Sequence, residues 1–551
     1  MNNKSYLTIL VILAIIFGFV YCWFGGEMND FATANDGQRI FSWPDAMANN
    51  FFVGEYIEKT DFVKDEVMNE KLQNAIHPRS TNVVNSNIVP MSFLGMLIVF
   101  GWIGKLTTAG AVMYLTPILS SVAVLFFYGI VRRVFNKKIG FISAVLLFTL
   151  SAFVYYANLS MLHTGLFLFL IMGAVYFYIR QSDFVNGKAQ LKFSMLCGLF
   201  FGLALITRSI EYFWIGIIVV LPLLFYFRKV KWQQVVSFLI FVMIPFGILG
   251  YYNYQIYGEI FTLGYFQMGE SADLLNRVPS EFAITEGDSV VKNYVKLFFA
   301  PFGFSLKNIV VNFSNYLVNF LWPYVLLFSA GAVLVIDQIR RHKFQKKVLV
   351  YFLISFLVSV YLILYYGSWE FIDPLVLKNN IIGSSYIRYW LPIYILMLPV
   401  VGFFLFKVNS VKANKYLRYS LIGAILIYLS LFSFNQVYLT KGDGLFAQRA
   451  VIEGYYDTAS RVNEIIEDDA IVVTNRHDKL FWPERQVIMF NLDYSVFERI
   501  ANAGVESPFY YFSIMPDCDI EYMNKQIEEY GIEIVEPSVI RDEMRLFSIK
   551  Y

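Results

Sequence analysis

The stretch Val89-Pro-Met-Ser-Phe-Leu-Gly-Met-Leu-Ile-Val-Phe-Gly-Trp-Ile103 decides the fold, because it is apolar but short. A helix needs about 20 apolar residues to cross a hydrocarbon core about 30 Å thick. The stretch also contains Pro90, Gly95 and Gly101. Whether it crosses the membrane sets the side on which every later loop lies.

Eleven other apolar runs are long enough to span, and they indicate a membrane protein. The chain has 551 residues, of which 57% are hydrophobic and 16% are charged, whereas soluble domains carry about 25% charged residues. No small-residue cleavage site follows the first run, so we treat that run as a span. The runs begin near Tyr6, Ala109, Ile139, Met161, Phe193, Glu211, Val235, Tyr316, Val348, Tyr386 and Tyr419.

Basic clusters between these runs predict the topology. They lie at residues 132–138, 228–231, 340–347 and 407–418, and lysine and arginine in short loops mark the cytoplasmic side. With eleven spans, all four clusters and Lys4 fall on that side; a twelfth span at Val89–Ile103 would put the clusters outside. We therefore predict that this segment is an interfacial or re-entrant helix. The protein is then a multi-pass plasma-membrane protein with a cytoplasmic amino terminus and an extracytoplasmic carboxyl terminus.

The predicted fold is an α-helical polytopic membrane protein with a long outer first loop and a small C-terminal α/β domain. The membrane domain covers residues 1–440, and its outer loop, residues 25–107, holds a candidate catalytic helix and the interfacial helix. In residues 441–551, apolar runs alternate with helical stretches such as Asp519–Tyr530, a pattern typical of layered α/β folds. We expect this acidic domain to fold separately on the outer side of the membrane and to carry none of the catalytic groups. Its predicted strands are Ala470–Thr474, Gln486–Phe490, Phe509–Ser513, Ile532–Val535 and Arg545–Ile549.

A short helix in the outer loop carries the candidate catalytic carboxylate. Ser42 and Pro44 suit the start of a helix, and Asp45 then shares one helical face with Asn49. Asp45 could complete a capping box and have no other role. It could instead act as a general base, which must lie within hydrogen-bond reach of an acceptor hydroxyl or amine. The residues alone leave both interpretations open.

The order of several motifs resembles that of the C-type (GT-C) glycosyltransferases of family 39, in particular the protein O-mannosyltransferases and lipid A aminoarabinose transferases. Asp45 followed by Asp61-Phe62 is similar to the first outer loop of this family, and His77-Pro78 is similar to the pair that precedes its surface helix. The resemblance covers roughly residues 1–440. Further similar stretches are Arg132–Gly140, Gly198–Arg208, Tyr254–Gly258 and Gly264-Tyr265.

The resemblance implies an inverting transfer of a sugar from a polyprenyl-phosphate donor to a protein, lipid or glycan acceptor on the outer face of the membrane. It implies Asp45 as the base. Arginine can grip a phosphate through two hydrogen bonds, so the predicted ligands of the donor phosphate are Arg388, Arg208 and Arg79, although each could instead snorkel to the interface. The candidate substrate-binding residues are Asn49, His77 and Tyr265.

Two departures from the family pattern bear on the chemistry. Arg208 stands where lysine is common, and His163 stands where many members carry an acid. The second departure removes the support for another catalytic carboxylate or a metal at the hairpin of residues 161–164. We predict neither a cofactor nor a metal site.

Other functional classes make different predictions. A transporter or lipid flippase would place ionisable residues near span centres and break its helices at the midplane, whereas the charges here cluster at helix ends and in the outer loop. A non-catalytic scaffold would leave Asp45 dispensable. The net charge of +2 gives no indication of a nucleic-acid partner. Three widely spaced cysteines, Cys22, Cys197 and Cys518, do not suggest a disulfide framework or a zinc site.

Overall fold

The structure is a computed structural model in which a bundle of helices is followed by a mixed α/β region. It describes residues 3–28, 60–61, 72, 75–79, 81–84, 87–226, 231–264, 302–370, 381–384, 386–411, 414–475, 477–482, 484–490, 493–514, 517–541 and 543–551. Asp45, Asn49 and Tyr265 lie outside the described residues.

Ten helices among the described residues are long and apolar enough to cross a membrane, and one bent pair brings the number to eleven. This agrees with the count predicted from the sequence. The α-helices of the bundle, including the short helices α2 and α10, are α1 (Asn3–Met28), α2 (Leu94–Leu106), α3 (Leu115–Val134), α4 (Lys137–Thr149), α5 (Ser151–Asn158), α6 (His163–Arg180), α7 (Gly187–Thr207), α8 (Tyr212–Tyr226), α9 (Trp232–Tyr257), α10 (Leu306–Phe313), α11 (Trp322–Arg340), α12 (Lys346–Gly367), α13 (Ile387–Val408) and α14 (Lys415–Phe434).

The span predicted to begin near Ile139 is bent in the structure. Helices α4 and α5 meet at an angle of 56°, because Leu150 between them is extended, with ψ at 117°. Helix α5 is wholly buried and forms hydrogen bonds with two later loops. The hydroxyl of Tyr155 donates to the carbonyl of Asp443, at 3.1 Å, and that of Tyr156 donates to the carbonyl of Ser384, at 2.9 Å.

The segment Val89–Ile103 is not helical throughout. Its first residues belong to strand β3 (Asn87–Pro90), and α2 begins only at Leu94. The 13 residues of α2 make a helix roughly 20 Å long, which is too short for a core of about 30 Å. Strand β3 pairs antiparallel with β1 (Thr60–Asp61) and β2 (Thr81–Val84), a small sheet that the sequence did not predict.

The C-terminal α/β region, residues 445–551, contains a five-stranded mixed sheet, and all five predicted strands are present. Strand β4 lies between β5 and β6 and is parallel to both, while β8 pairs antiparallel with β6 and β7. The strands are β4 (Ile471–Thr474), β5 (Gln486–Met489), β6 (Phe509–Ser513), β7 (Glu533–Arg541) and β8 (Met544–Lys550), and the helices are α15 (Leu445–Ile465), α16 (Asp478–Phe481), α17 (Ser495–Ala501) and α18 (Asp517–Ile527).

Candidate active site

Two of the predicted phosphate ligands, Arg208 and Arg388, come together at one end of the helical bundle. Arg208 follows the last residue of α7, and Arg388 lies in the first turn of α13. The guanidinium carbon of each lies 5.3 Å from the centre of the Tyr389 ring. This geometry suits a cation–π interaction, so one aromatic ring links the two arginines. We call Arg208, Glu211, Arg388 and Tyr389 the arginine cluster.

Glu211 is the member of this cluster that the sequence interpretation missed as a site residue. Its Oε1 lies 2.7 Å from Nη2 of Arg208, and Arg208 and Glu211 are only 6% and 3% exposed. A charge buried this deeply needs a partner of opposite sign and further hydrogen bonds. Tyr366 supplies one from its hydroxyl, at 3.0 Å, and the indole nitrogen of Trp214 supplies another. The only signal in the sequence was an arginine followed three residues later by a glutamate.

Other contacts fix the direction of the Arg208 side chain. Its Nη1 donates to the hydroxyl of Thr164 at 3.3 Å, and its guanidinium lies over the ring of Phe167 at 5.7 Å. Both residues belong to α6. Arg208 is therefore buried and held between α6 and α13.

His163 connects this site to the short helix α2. Its Nε2 lies 3.0 Å from the carbonyl oxygen of Phe93, just before α2. Since a carbonyl only accepts, we assign the proton to Nε2. His163 also lies within electrostatic range of both Arg208 and Arg388. His163 therefore donates a hydrogen bond to the residue just before α2 and links α6 to the start of α2.

A close backbone approach fixes α2 against the same site. A methyl group added at Gly95 would lie within 2.5 Å of the backbone nitrogen of Thr207, so only glycine allows the two helices to come this near. Thr207 immediately precedes Arg208. The start of α2 is thus packed directly beside the turn that carries the buried ion pair.

Aromatic rings line the cluster on the side of α12 and α13. Tyr366 stacks on Tyr389 with ring centres 4.6 Å apart. Trp369 lies 5.6 Å from Tyr389 and stacks on Phe302 at 4.4 Å. Arg388 and Tyr389 are only half-buried, so the cluster has an accessible side with aromatic walls. Such walls suit the apolar face of a sugar or a hydrocarbon chain, while guanidinium groups suit an anion.

Arg79 and His77 lie against the C-terminal α/β region. The backbone nitrogen and Nε of Arg79 both donate to the carboxylate of Asp478, at 2.7 and 2.8 Å, and Asp478 is fully buried. Burial lowers the pKa of His77. Burial, aided by the charge of Arg79, lowers the pKa of the nearby His477 to about 4. The roles predicted for Arg79 and His77 in substrate binding stay predictions, as do those of Asp45, Asn49 and Tyr265.

The fold is shared with membrane glycosyltransferases of the GT-C type. ArnT from Cupriavidus metallidurans, bound to undecaprenyl phosphate, superposes with a TM-score of 0.52 at 12% identity, covering 99% of this chain and 98% of ArnT. The apo state of ArnT gives 0.50 at 11% identity over the same shares. The apo oligosaccharyltransferase of Archaeoglobus fulgidus gives 0.52 at 11% identity, covering 96% of this chain and 71% of that enzyme.

Comparison of sequences alone finds no relative. No protein-family model matches the chain, and no curated protein matches it. At 11–12% identity, the structural similarity establishes the fold and leaves the substrates open.

Proposed function

We propose that this protein is a glycosyltransferase that takes a sugar from a polyprenyl-phosphate donor and transfers it to a hydroxyl or amine on the outer face of the plasma membrane. The observation that carries the proposal is the arginine cluster, which joins Arg208 and Arg388 through Tyr389 at one end of a GT-C-type bundle. The ArnT structure with the same fold contains undecaprenyl phosphate, a lipid that combines the two chemistries this site offers, an anion and a hydrocarbon chain.

Within the cluster, we assign the main phosphate contact to Arg388. The charge of Arg208 is offset by Glu211 at 2.7 Å, so the first role of Arg208 is to hold the Tyr389 ring in place. Arg388 lies on the same ring and is half-buried. A guanidinium in a partly desolvated site stabilises a developing phosphate charge more strongly than it would in water. Arg388 therefore stabilises the leaving group.

The proposed reaction is a single inverting displacement. An acceptor oxygen or nitrogen attacks the anomeric carbon while the bond from that carbon to the phosphate oxygen breaks. Polyprenyl phosphate leaves with the bonding electrons, and Asp45 takes the acceptor proton. Asn49 and Tyr265 are proposed to contact the substrates. The role of Asp45 rests on the sequence resemblance, since this residue lies outside the described part of the chain.

The bend between α4 and α5 is a described feature that a transporter would also use. A transporter needs ionisable groups at such a break. Neither helix contains an aspartate, glutamate, histidine or arginine, and the two lysines, Lys137 and Lys138, lie at the far end of α4. The charges converge instead at the arginine cluster, where helices end. This distribution favours an enzyme working at one surface.

Binding of undecaprenyl phosphate to the purified protein in lipid nanodiscs tests the donor side. Arg388→Ala should weaken binding about 10- to 100-fold, since a hydrogen bond to a charged group contributes about 1.5–3 kcal/mol. Lys407→Ala is the matched control, because Lys407 lies in the last turn of the same helix and should bind like the wild type. Equal affinities for the two variants would contradict the assignment of Arg388.

Transfer from a panel of polyprenyl-phosphate sugars tests the chemistry. Released polyprenyl phosphate and the anomeric configuration of the product are measured. Asp45→Asn should lower the transfer rate at least 10²-fold, the usual contribution of a general base, and leave binding of undecaprenyl phosphate unchanged. Transfer by this variant within about tenfold of the wild type would refute the role of Asp45 as base.

A further inference from the structure

The five-stranded sheet of the C-terminal α/β region has a topological switch point at the carboxyl ends of its parallel strands β4 and β6. The chain leaves β4 towards β5 on one side and leaves β6 towards β7 on the other. Connections that diverge in this way open a crevice between the two strands, where α/β sheets commonly bind ligands. Strand β4 ends here at Thr474, whose hydroxyl donates to the carbonyl of Phe512 at 2.9 Å. His477 packs on the Phe512 ring at 5.3 Å.

A segment of the same chain docks at this place. Asp478 follows the loop after β4, and its carboxylate accepts from both the backbone nitrogen and Nε of Arg79. A second contact lies beside it, since Ile76 forms an antiparallel bridge with Ile488 of the edge strand β5. The loop between α1 and α2, which we call the first loop, therefore covers an otherwise exposed sheet edge and supplies the cation for a buried carboxylate.

The docked segment leads directly to the arginine cluster. Two residues after Arg79, strand β2 begins and pairs with β3. The carbonyl of Pro90, the last residue of β3, accepts from the hydroxyl of Tyr257. The carbonyl of Phe93 then accepts from Nε2 of His163, and Gly95 packs on the backbone of Thr207, beside Arg208. Each step is a hydrogen bond or a backbone contact. These contacts connect the segment that carries Arg79 to the start of α2.

We propose that Arg79 and Asp478 form a latch through which the C-terminal α/β region positions strands β2 and β3 and helix α2 beside the arginine cluster. Arg79 is then a positioning residue and not a ligand of the donor phosphate. The effect on catalysis rests on the proposed function, whereas the docking itself does not. A displacement of about 1 Å at a reacting group lowers rates on the order of 10²-fold, which sets the size of the expected effect.

Three variants separate a latch from a phosphate ligand: Arg79→Ala, Asp478→Ala and the two combined. If the latch operates, each single variant lowers kcat on the order of 10²-fold and leaves the KM for the donor within about threefold of the wild type. The double variant is then no slower than either single variant, since the interaction is already lost. A raised KM for the donor in Arg79→Ala, without a matching loss in Asp478→Ala, overturns the proposal.

Rescue by a disulfide removes the ambiguity of a variant that folds badly. Ile76→Cys and Ile488→Cys are introduced into Arg79→Ala together with Cys518→Ser, because Cys518 is exposed. Antiparallel partners lie about 4.5–5.5 Å apart, within the range of a disulfide. Oxidation should raise kcat at least tenfold above that of the reduced variant, and reduction should remove the gain. A disulfide at this place restores a position but cannot replace a phosphate ligand, so an oxidised variant that stays inactive overturns the latch.

Amide hydrogen exchange of strands β2 and β3 provides a readout that does not depend on transfer. Exchange there should rise in Arg79→Ala and in Asp478→Ala, and fall again in the oxidised variant. Exchange equal to that of the wild type in both single variants overturns the latch. If the wild type transfers no sugar, the proposed function fails, and these exchange data alone decide whether the latch exists.

Discussion

Replacing Glu211 by glutamine should destabilise the helical bundle, because it removes the counter-ion of a buried guanidinium while keeping the size of the side chain. Arg208 and Glu211 are 6% and 3% exposed, so water cannot replace the lost carboxylate. The substitution tests whether the arginine cluster depends on this ion pair for its structure.

The size of the effect follows from the contacts of the carboxylate. Its Oε1 accepts from Arg208 and Tyr366, and its Oε2 accepts from Trp214. In glutamine an NH2 group, which donates, replaces one of these oxygens. Either the Trp214 indole, or Arg208 together with Tyr366, then loses its acceptor. Removing one partner of a buried ion pair costs about 3–5 kcal/mol, and a buried donor left without an acceptor costs about 1–3 kcal/mol. We therefore expect the free energy of unfolding to fall by about 3–5 kcal/mol.

Equilibrium unfolding in mixed micelles of increasing dodecyl sulfate content measures this change. Asp337→Asn is the matched control, because it breaks an ion pair with Arg341 at 2.8 Å that is exposed to solvent, and exposed pairs contribute little. The control should unfold like the wild type. If Glu211→Gln unfolds together with the control, the ion pair does not support the cluster and the structural reasoning is wrong.

Three further predictions concern α2 and its surroundings. Gly95→Ala should lower the unfolding temperature, since the new methyl group would lie within 2.5 Å of the Thr207 nitrogen, whereas Gly216→Ala, with open space around it, should not. Docking of the first loop should weaken as the pH falls from 6.5 towards 4. Burial and the nearby charge of Arg79 lower the pKa of His477, so the docked state, which brings Arg79 close, binds fewer protons than the undocked one and loses stability in acid; hydrogen exchange of β2 in the wild type and in His477→Asn measures the difference. Cysteines placed at positions 85 and 107 should react with an impermeant reagent from the same side of the membrane, and labelling from opposite sides would contradict the interfacial helix.

The spans were predictable because their signal is local. Length and apolar composition over some 20 residues decide whether a helix can cross a membrane, and basic turns decide the direction. Local signals did not reveal the extended residue Leu150 within one span, since no proline or glycine marks it. They also misplaced the span predicted from Tyr316. In the structure α11 begins at Trp322, with Pro323 in its first turn, and proline is favoured at that position.

The candidate site was predictable only in part, because side-chain pairing is not local. The sequence placed Arg79, Arg208 and Arg388 in one group as possible phosphate ligands. In the structure Arg208 and Arg388 share the Tyr389 ring, whereas Arg79 pairs with a carboxylate 399 residues away, a separation over which no spacing rule applies. Glu211 served in the sequence interpretation only as the start of a span. Its burial follows in part from Tyr366, which lies 155 residues further along the chain.

The separation of Arg79 and Asp478 by 399 residues also sets an order of events during synthesis. At about 5–20 residues per second, a ribosome needs roughly 20–80 s to pass from one to the other. During this time every span up to α14 can enter the membrane while Arg79 lacks its carboxylate partner. A chain released before residue 478 would therefore be an inserted bundle without the proposed latch, and its first loop would lack the contact with the C-terminal α/β region that Asp478 provides.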